Sequence, residues 1–285
     1  MKKTMIVADS TCDLGAELIA RHGVRIVPLD VNLGGKTYLD GVEIKPDDIY
    51  LHYEQKGELP RTAAPNMVAF SDVFADCLRA CDGVVCFTIS AEMSSTYNNA
   101  RMAALEHKNV HVVDTRNLST GGGLLVLAAA EMAERGMEAS EIATACRDLV
   151  DAVDASFVVD DLEFLHKGGR CTALAALGAN LLQLKPCITV AGGKMGVSKK
   201  YRGKFHVVLD KYVEERIGDG AGIVTDHVFV THAGCDAAVV DGVVAKVRAL
   251  LPDAEIHVTR AGCTVSSHCG KNTLGVLFIK KGETA

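Results

Sequence analysis

The sequence predicts an α/β protein of two domains. The first carries a mostly parallel sheet with flanking helices, and the second is an α/β or α+β domain with a mixed sheet. Three observations predict it. Short apolar runs alternate with amphipathic segments through the first half of the chain, the pattern of parallel strands joined by crossover helices. The second half departs from this alternation, with a Gly-rich corner and a Gly-centred hairpin. The 285 residues, 48% of them hydrophobic, exceed the ~100–200 residues of an ordinary domain.

The elements follow in order. "TMIVADS" (4–10) reads as a buried strand. "LGAELIARHG" (14–23) has helical spacing and stops at Gly23, a good C-cap residue. "VRIVPLDVNL" (24–33) is extended, and Gly34-Gly35 fits a hairpin turn. "PDDIYLHYEQKG" (46–57) opens on Pro and two acids and closes on Gly, as a short helix should. A longer amphipathic helix spans 65–81. Strand 84–89, helix 95–107, strand 110–115 and helix 120–135 complete the first half. In the second, helix 139–153 leads to strand 156–160, a corner "LHKGGRCT" (165–172) and a small-residue helix "ALAALGANLLQL" (173–184). Next come a hairpin over 186–197 around Gly192-Gly193 and a helix at 206–217. Strand 227–234, helix 237–251, strand 255–262 and strand 273–282 follow. The division is expected at residues 154/155.

Composition excludes several classes. A formal net charge of −6 and short basic clusters, such as "KMGVSKKYRGK" (194–204), do not make a nucleic-acid binder. Aromatic content is 5% with no Trp, so the core is aliphatic. Ten cysteines lack the paired spacing of zinc sites, and the histidines are scattered, so no metal is expected. The apolar run after the N-terminus is broken by Asp9, which argues against a secretory leader. The longest apolar runs fall short of the ~20 residues that span a bilayer, so no transmembrane segment is expected. A cytoplasmic protein with reduced thiols acting as small hydrophobes is the expectation.

In open parallel sheets, ligands bind beyond the carboxyl ends of the strands. Three such ends are rich in hydroxyls and acids: Asp9-Ser10-Thr11; Thr88, Ser90, Ser94, Ser95 and Thr96; and Asp114-Thr115 with Ser119-Thr120-Gly121-Gly122-Gly123. Each leads into a helix, whose free N–H groups attract anions. Ordinary N-capping explains the same residues, and both readings stand. The phosphate loop and the dinucleotide fingerprint are absent, and no Lys lies in the stretch 82–103. A small anion such as a carboxylate fits best. Ser94, His268 and an acid have the residue types of a hydrolytic triad, but the nucleophile-elbow motif is missing.

Taken together, "LPRTAAPN" (59–66), "TISAEMSSTYNNA" (88–100), "VVDTRNLSTGGG" (112–123), "LEFLHKGGR" (162–170), "KPCITVAGGKM" (185–195) and "HCGKNTLGV" (268–276) resemble the DegV family, in order and over nearly the whole chain. The resemblance implies a two-domain fatty-acid-binding protein with a ligand tunnel between or beside the domains. It implies a carrier without catalytic residues or cofactor, which presents a long-chain fatty acid to a separate fatty acid kinase subunit. Transient membrane contact for lipid exchange goes with that role. By resemblance, Thr62, Ser94 and His268 grip the carboxylate, with Ser95 at the same corner, and Arg170 and Arg202 face the kinase or its nucleotide. The chain departs from the family pattern at Ala63 (usually Ser), Met93 (Leu), Ser95 (Gly), Cys269 (Thr) and Lys271-Asn272 (Pro-Gly). These departures bear on acyl preference and kinase pairing. A Ser/His esterase using Ser94, and a lipid sensor without a kinase, are the alternatives.

Overall fold

A computed structural model describes residues 2–174 and 184–282. Strand β1 (Lys2–Asp9) runs into a single 3-10 turn, Ser10–Cys12, and helix α1 (Ala16–His22). Gly23 ends α1 in the left-handed conformation, its N–H returning to the Ile19 carbonyl, as a helix-terminating glycine does. The extended stretch expected over 24–33 is two strands in different sheets, β2 (Arg25–Val27) and β3 (Asp30–Leu33). Pro28 separates them, since proline lacks the N–H that a continuous ladder would need. Gly34-Gly35 turn β3 into β4 (Lys36–Leu39) as a two-residue hairpin, both at positive φ. Helix α2 (Pro46–Lys56) follows, then β5 (Arg61–Ala63), a three-residue strand too short to leave a periodic signal.

Helix α3 (Met67–Leu78) gives way to β6 (Cys81–Thr88), which begins earlier than its apolar run suggests. Helix α4 (Thr96–Ala104), β7 (Val110–Asp114), α5 (Thr120–Glu134) and α6 (Ala139–Leu149) close the first layer. Its sheet is parallel throughout, in the order β2-β1-β6-β7. A second, three-stranded sheet, β4-β3-β5, is antiparallel.

The expected helix over 139–153 stops at Leu149, and Val153–Asp154 form a short strand, β8. Next come β9 (Ser156–Val159), α7 (Glu163–Gly168), β10 (Lys185–Ala191), β11 (Lys194–Tyr201) and α8 (Phe205–Ile217). The chain then runs through β12 (Ile223–Ala233), α9 (Ala237–Leu250), β13 (Ile256–Arg260), α10 (Cys263–Cys269) and β14 (Thr273–Lys280). The third sheet is mixed, in the order β11-β10-β9-β14-β12-β13 with β8 on β14, and its one parallel pair is β12–β13. A mixed α/β fold of two domains results.

Helix α5 is buried over most of its length and packs against β1 on one side and β14 on the other. Leu124, Leu127 and Ala130 share one core with Val85 of the first layer and with Phe229 and Leu277 of the mixed sheet. The triple glycine at its start serves this packing. A Cβ on Gly123 would stand 2.7 Å from the Cys12 carbonyl oxygen, and one on Gly121 would stand 2.8 Å from Asn117 Oδ1. The ten cysteines are free and nine are buried. Burial pushes thiols such as Cys146 and Cys269 up to about 12, so they behave as the small hydrophobes expected of them. Among the described residues, no helix is long and apolar enough to cross a membrane.

Candidate functional site

A cavity of about 380 Å³ lies where the loop after β6 faces β5 and α10, and small-molecule sites span ~300–1,000 Å³. Thr62, Ser94, Ser95, Arg170 and His268 line it. Arg202 does not. It sits in a separate surface depression with Lys199, Lys200 and Lys211.

Each polar group is placed by local structure. β5 pairs with β3 in the register Val31↔Thr62, which fixes Thr62 at the cavity edge. His268 lies on α10, a seven-residue helix following β13. So short a helix needs its first N–H groups satisfied from outside, and buried Asp40 accepts from Cys263 N at 2.8 Å and Thr264 N at 3.0 Å. His268 Nε2 lies 2.8 Å from Thr62 Oγ1. Its Nδ1 is buried without a hydrogen-bond partner among the described residues. That nitrogen faces Gly168, where an added Cβ would stand 2.7 Å away, so the Gly-Gly-Arg corner is Gly-rich at the point where the ring approaches it. Ser94 Oγ accepts from Thr96 N at 3.2 Å and lies 2.8 Å from Thr96 Oγ1, closing a small hydroxyl turn before α4. Ser95 precedes α4, exposed and without a capping hydrogen bond.

The hydroxyls and the imidazole at the polar end carry no charge, and Arg170 is the cationic side chain of the lining. Burial, with a smaller push from the Arg170 charge, lowers His268 to about 4. The imidazole is therefore uncharged at neutral pH. In the Nε2–H tautomer it donates to Thr62 Oγ1 and leaves the Thr62 hydroxyl hydrogen for a ligand; the other tautomer consumes that hydrogen. Arg170 is exposed and donates to the Gly168 carbonyl at 2.8 Å.

The sequence reading missed one polar group. Thr264 is buried, lines the cavity, and its Oγ1 has no hydrogen-bond partner among the described residues. A buried unpaired hydroxyl costs about 1–3 kcal/mol, so a ligand acceptor here would be well met. Its signal was available: Thr264 stands four residues before His268, on the same helix face. The rest of the wall is apolar and includes Ile89, Leu118, Phe157, Leu165, Met195 and Val265. These come from separate elements with no shared motif. A smaller space of about 30 Å³ shares Leu118, Phe157, Val265 and Cys269 with the cavity and extends to Val190 and Leu277. The stretch 175–183, most of the small-residue helix expected over 173–184, lies outside the described residues.

Two of the three hydroxyl-rich strand ends do not face the cavity. Asp9 accepts from Thr11 N at 2.9 Å and Ile89 N at 2.7 Å. Ser119 donates to Asp13 at 2.5 Å, and Thr120 Oγ1 lies 2.6 Å from Thr231 Oγ1. Even after β6, Ser90 donates to the Gly193 carbonyl at 2.7 Å. Only Ser94 and Ser95 reach the cavity from these clusters. The residue types of a triad also fail to assemble as one, because His268 meets Thr62 while Ser94 meets Thr96.

The fold recurs in known proteins. The family model described as "Uncharacterised protein, DegV family" matches residues 3–281. A DegV domain-containing protein of Caldanaerobacter subterraneus is 30% identical over 283 residues, covering 99% of this chain and all of that one. A solved DegV family protein from Thermus thermophilus, described as binding fatty acid, superposes with a TM-score of 0.89 at 32% identity, covering 98% of this chain and all of that one. A stearic-acid-binding protein from Eubacterium ventriosum superposes with a TM-score of 0.83 at 28% identity, over 99% of this chain and all of that one. With a family model spanning nearly its whole length and relatives alike from end to end, the chain belongs to the DegV family.

Proposed function

We propose that this protein binds a long-chain fatty acid in the cavity, with the carboxylate at Thr62, Ser94 and His268, and presents it to a separate kinase subunit that forms the acyl phosphate. The observation that carries the reading is a cavity that combines hydroxyls and the Thr62–His268 pair with a largely apolar wall, Arg170 being its cationic lining residue. The likeness to the fatty-acid-binding proteins of T. thermophilus and E. ventriosum supports it.

The physical logic is a division of labour. Each buried methylene contributes ~0.8 kcal/mol, so about fifteen of them supply on the order of 10 kcal/mol. Affinity then needs no ion pair at the head group. Neutral donors orient one carboxylate oxygen and leave its charge available for attack on a phosphoryl donor, whereas a buried Lys or Arg partner would lower its nucleophilicity. His268 donates to Thr62, Thr62 to the carboxylate, and Ser94 and Thr264 supply further hydroxyls, with Ser95 at the rim. Exposed Arg170 at the mouth, and Arg202 with its neighbouring lysines, offer positive charge to a kinase or its nucleotide. The protein carries out no chemistry of its own in this reading and uses no cofactor. The esterase alternative has no observation in its favour.

The test has two arms. Native mass spectrometry of the purified protein should reveal a co-purified acyl chain. Thr62→Val and Ser94→Ala should each slow acyl-phosphate formation by roughly 10–100-fold, the worth of a hydrogen bond to a charged group, while fatty-acid uptake changes by only a few fold. Purified protein that never takes up long-chain lipid would overturn the binding assignment. Variants phosphorylated like wild type would overturn the carboxylate site. Lipid bound but ignored by every kinase subunit tried would leave a lipid sensor.

A further inference from the structure

We propose that His227, His257 and Glu255 form a binding site for a divalent transition metal of the zinc class, with Glu131 orienting His227. The site lies between the edge of the mixed sheet and helix α5. Its nearest ligand atoms are the two ring nitrogens, His227 Nδ1 and His257 Nε2, 2.9 Å apart. Glu255 Oε1 stands 3.7 Å from His257 Nε2. All three ligand atoms lie within 4.8 Å of one another.

These separations suit coordination of one ion. Two nitrogens bound to zinc at 2.0–2.1 Å in tetrahedral array stand roughly 3.3 Å apart, so the rings need to part by only a few tenths of an ångström. The two histidines and one carboxylate would leave a fourth position toward solvent. The outer shell is also in place. Glu131 Oε1 lies 2.8 Å from His227 Nε2, so the Nε2–H donates to the carboxylate and the Nδ1 lone pair is left for the ion. A carboxylate behind a ligating histidine is the usual arrangement at metal centres. The His257 ring is steadied by Phe229, their centroids 4.9 Å apart and planes 32° from parallel. Arg21 Nη1 stands 3.9 Å from Glu255 Oε1, a long contact that the metal would replace.

The sequence scatters its histidines and points to no metal. The cluster exists because β12 and β13 are parallel neighbours in the register Phe229↔His257, while Glu131 comes from the helix that joins the two layers. A bound ion would therefore clip the edge strand β13 to β12, with α5 held behind through Glu131. The site shares no lining residue with the cavity.

The test uses the full-length protein titrated with Co²⁺ alone, followed by its visible absorption. One equivalent should bind with d–d bands and without the near-ultraviolet charge-transfer band of a thiolate ligand, since the cysteines are not involved. His257→Ala should abolish the bands. Glu255→Gln, at an exposed side chain that folding does not require, should weaken binding at least tenfold. Glu131→Gln should weaken it by roughly 10–100-fold, as loss of an outer-shell partner does. Zn²⁺ should raise the Tm of wild type and leave that of His257→Ala unmoved. No Co²⁺ binding by wild type, a thiolate band, or equal affinity in wild type and Glu255→Gln would overturn the site.

Discussion

The carboxyl ends of β1 and β6 start from the same kind of sequence, an apolar strand emptying into hydroxyls and acids, and reach opposite states. After β1 everything is consumed. Asp9, Thr11 and Asp13 are buried and satisfy Ile89, Ser119 and Gly262 as well as one another. Ser10 donates to Asp40, which in turn holds the first N–H groups of α10. After β6 Ser94 is tied only to its neighbour Thr96, Ser95 makes no capping bond, and both line the cavity. The difference teaches that a polar strand end is not a site by composition. It becomes one where its groups border a cavity and are not tied to distant parts of the fold. The β1 end still matters to the site, because Asp13 accepts from Gly262 N and Ser10 donates to Asp40, the residue after β4 that holds the first N–H groups of the helix carrying His268 and Thr264.

The largest expected effect comes from removing the keystone of the closed end. Asp40→Ala leaves Cys263 N, Thr264 N and Ser10 without their acceptor. It should lower the unfolding free energy by about 2–4 kcal/mol, on the scale of charge-assisted bonds to buried donors. Urea denaturation measures it, and a loss under about 0.5 kcal/mol, the range of a neutral surface change, would break the contrast between the two ends.

A second prediction concerns pH. Burial pushes Asp13 up to about 8 and Asp9 up to about 6, with repulsion from neighbouring acids adding to the rise. The folded state therefore holds protons that the unfolded chain, with carboxyls near 3.8, has released. The stability Asp13 contributes is complete below the unfolded value and is lost as pH rises through about 8. Asp13→Asn is fixed in the neutral form. Wild type should thus lose stability relative to Asp13→Asn as pH rises across that window, read as the difference between two denaturation series. A flat difference would show that the acids are not packed as described.

The smallest effect belongs at the open end. Ser95 is exposed and makes no capping bond, so Ser95→Ala should change stability by less than about 0.5 kcal/mol. A larger loss in thermal unfolding would mean that Ser95 is spent on α4 after all and that the open end is less open.

Much of this was legible before the fold. Alternating apolar runs marked the parallel layer, Gly23 and Gly57 marked helix ends, and the spaced motifs marked Thr62, Ser94 and His268. What escaped had physical reasons. β5 is three residues long, below any period. Pro28 divides one apolar run between two sheets. The glycines after Ser119 look like an anion loop yet serve a close helix approach at Cys12 and Asn117. Thr264 differs from a capping threonine only in having no partner.

The sequence by itself determined the α/β class and which residue types crowd the strand ends, because periodicity and composition report which faces turn from water; it did not show that Phe70, Phe74, Phe87, Phe229 and Tyr212 would stand among the largest fully buried side chains of a core expected to be aliphatic. Only the tertiary structure decided which hydroxyls are spent and which are left over. It alone set Thr62 against His268 across 206 residues of chain, put Arg202 apart from Arg170, and brought His227 to His257. Those outcomes depend on sheet order and register, which arise from long-range pairing and leave no trace in any local stretch.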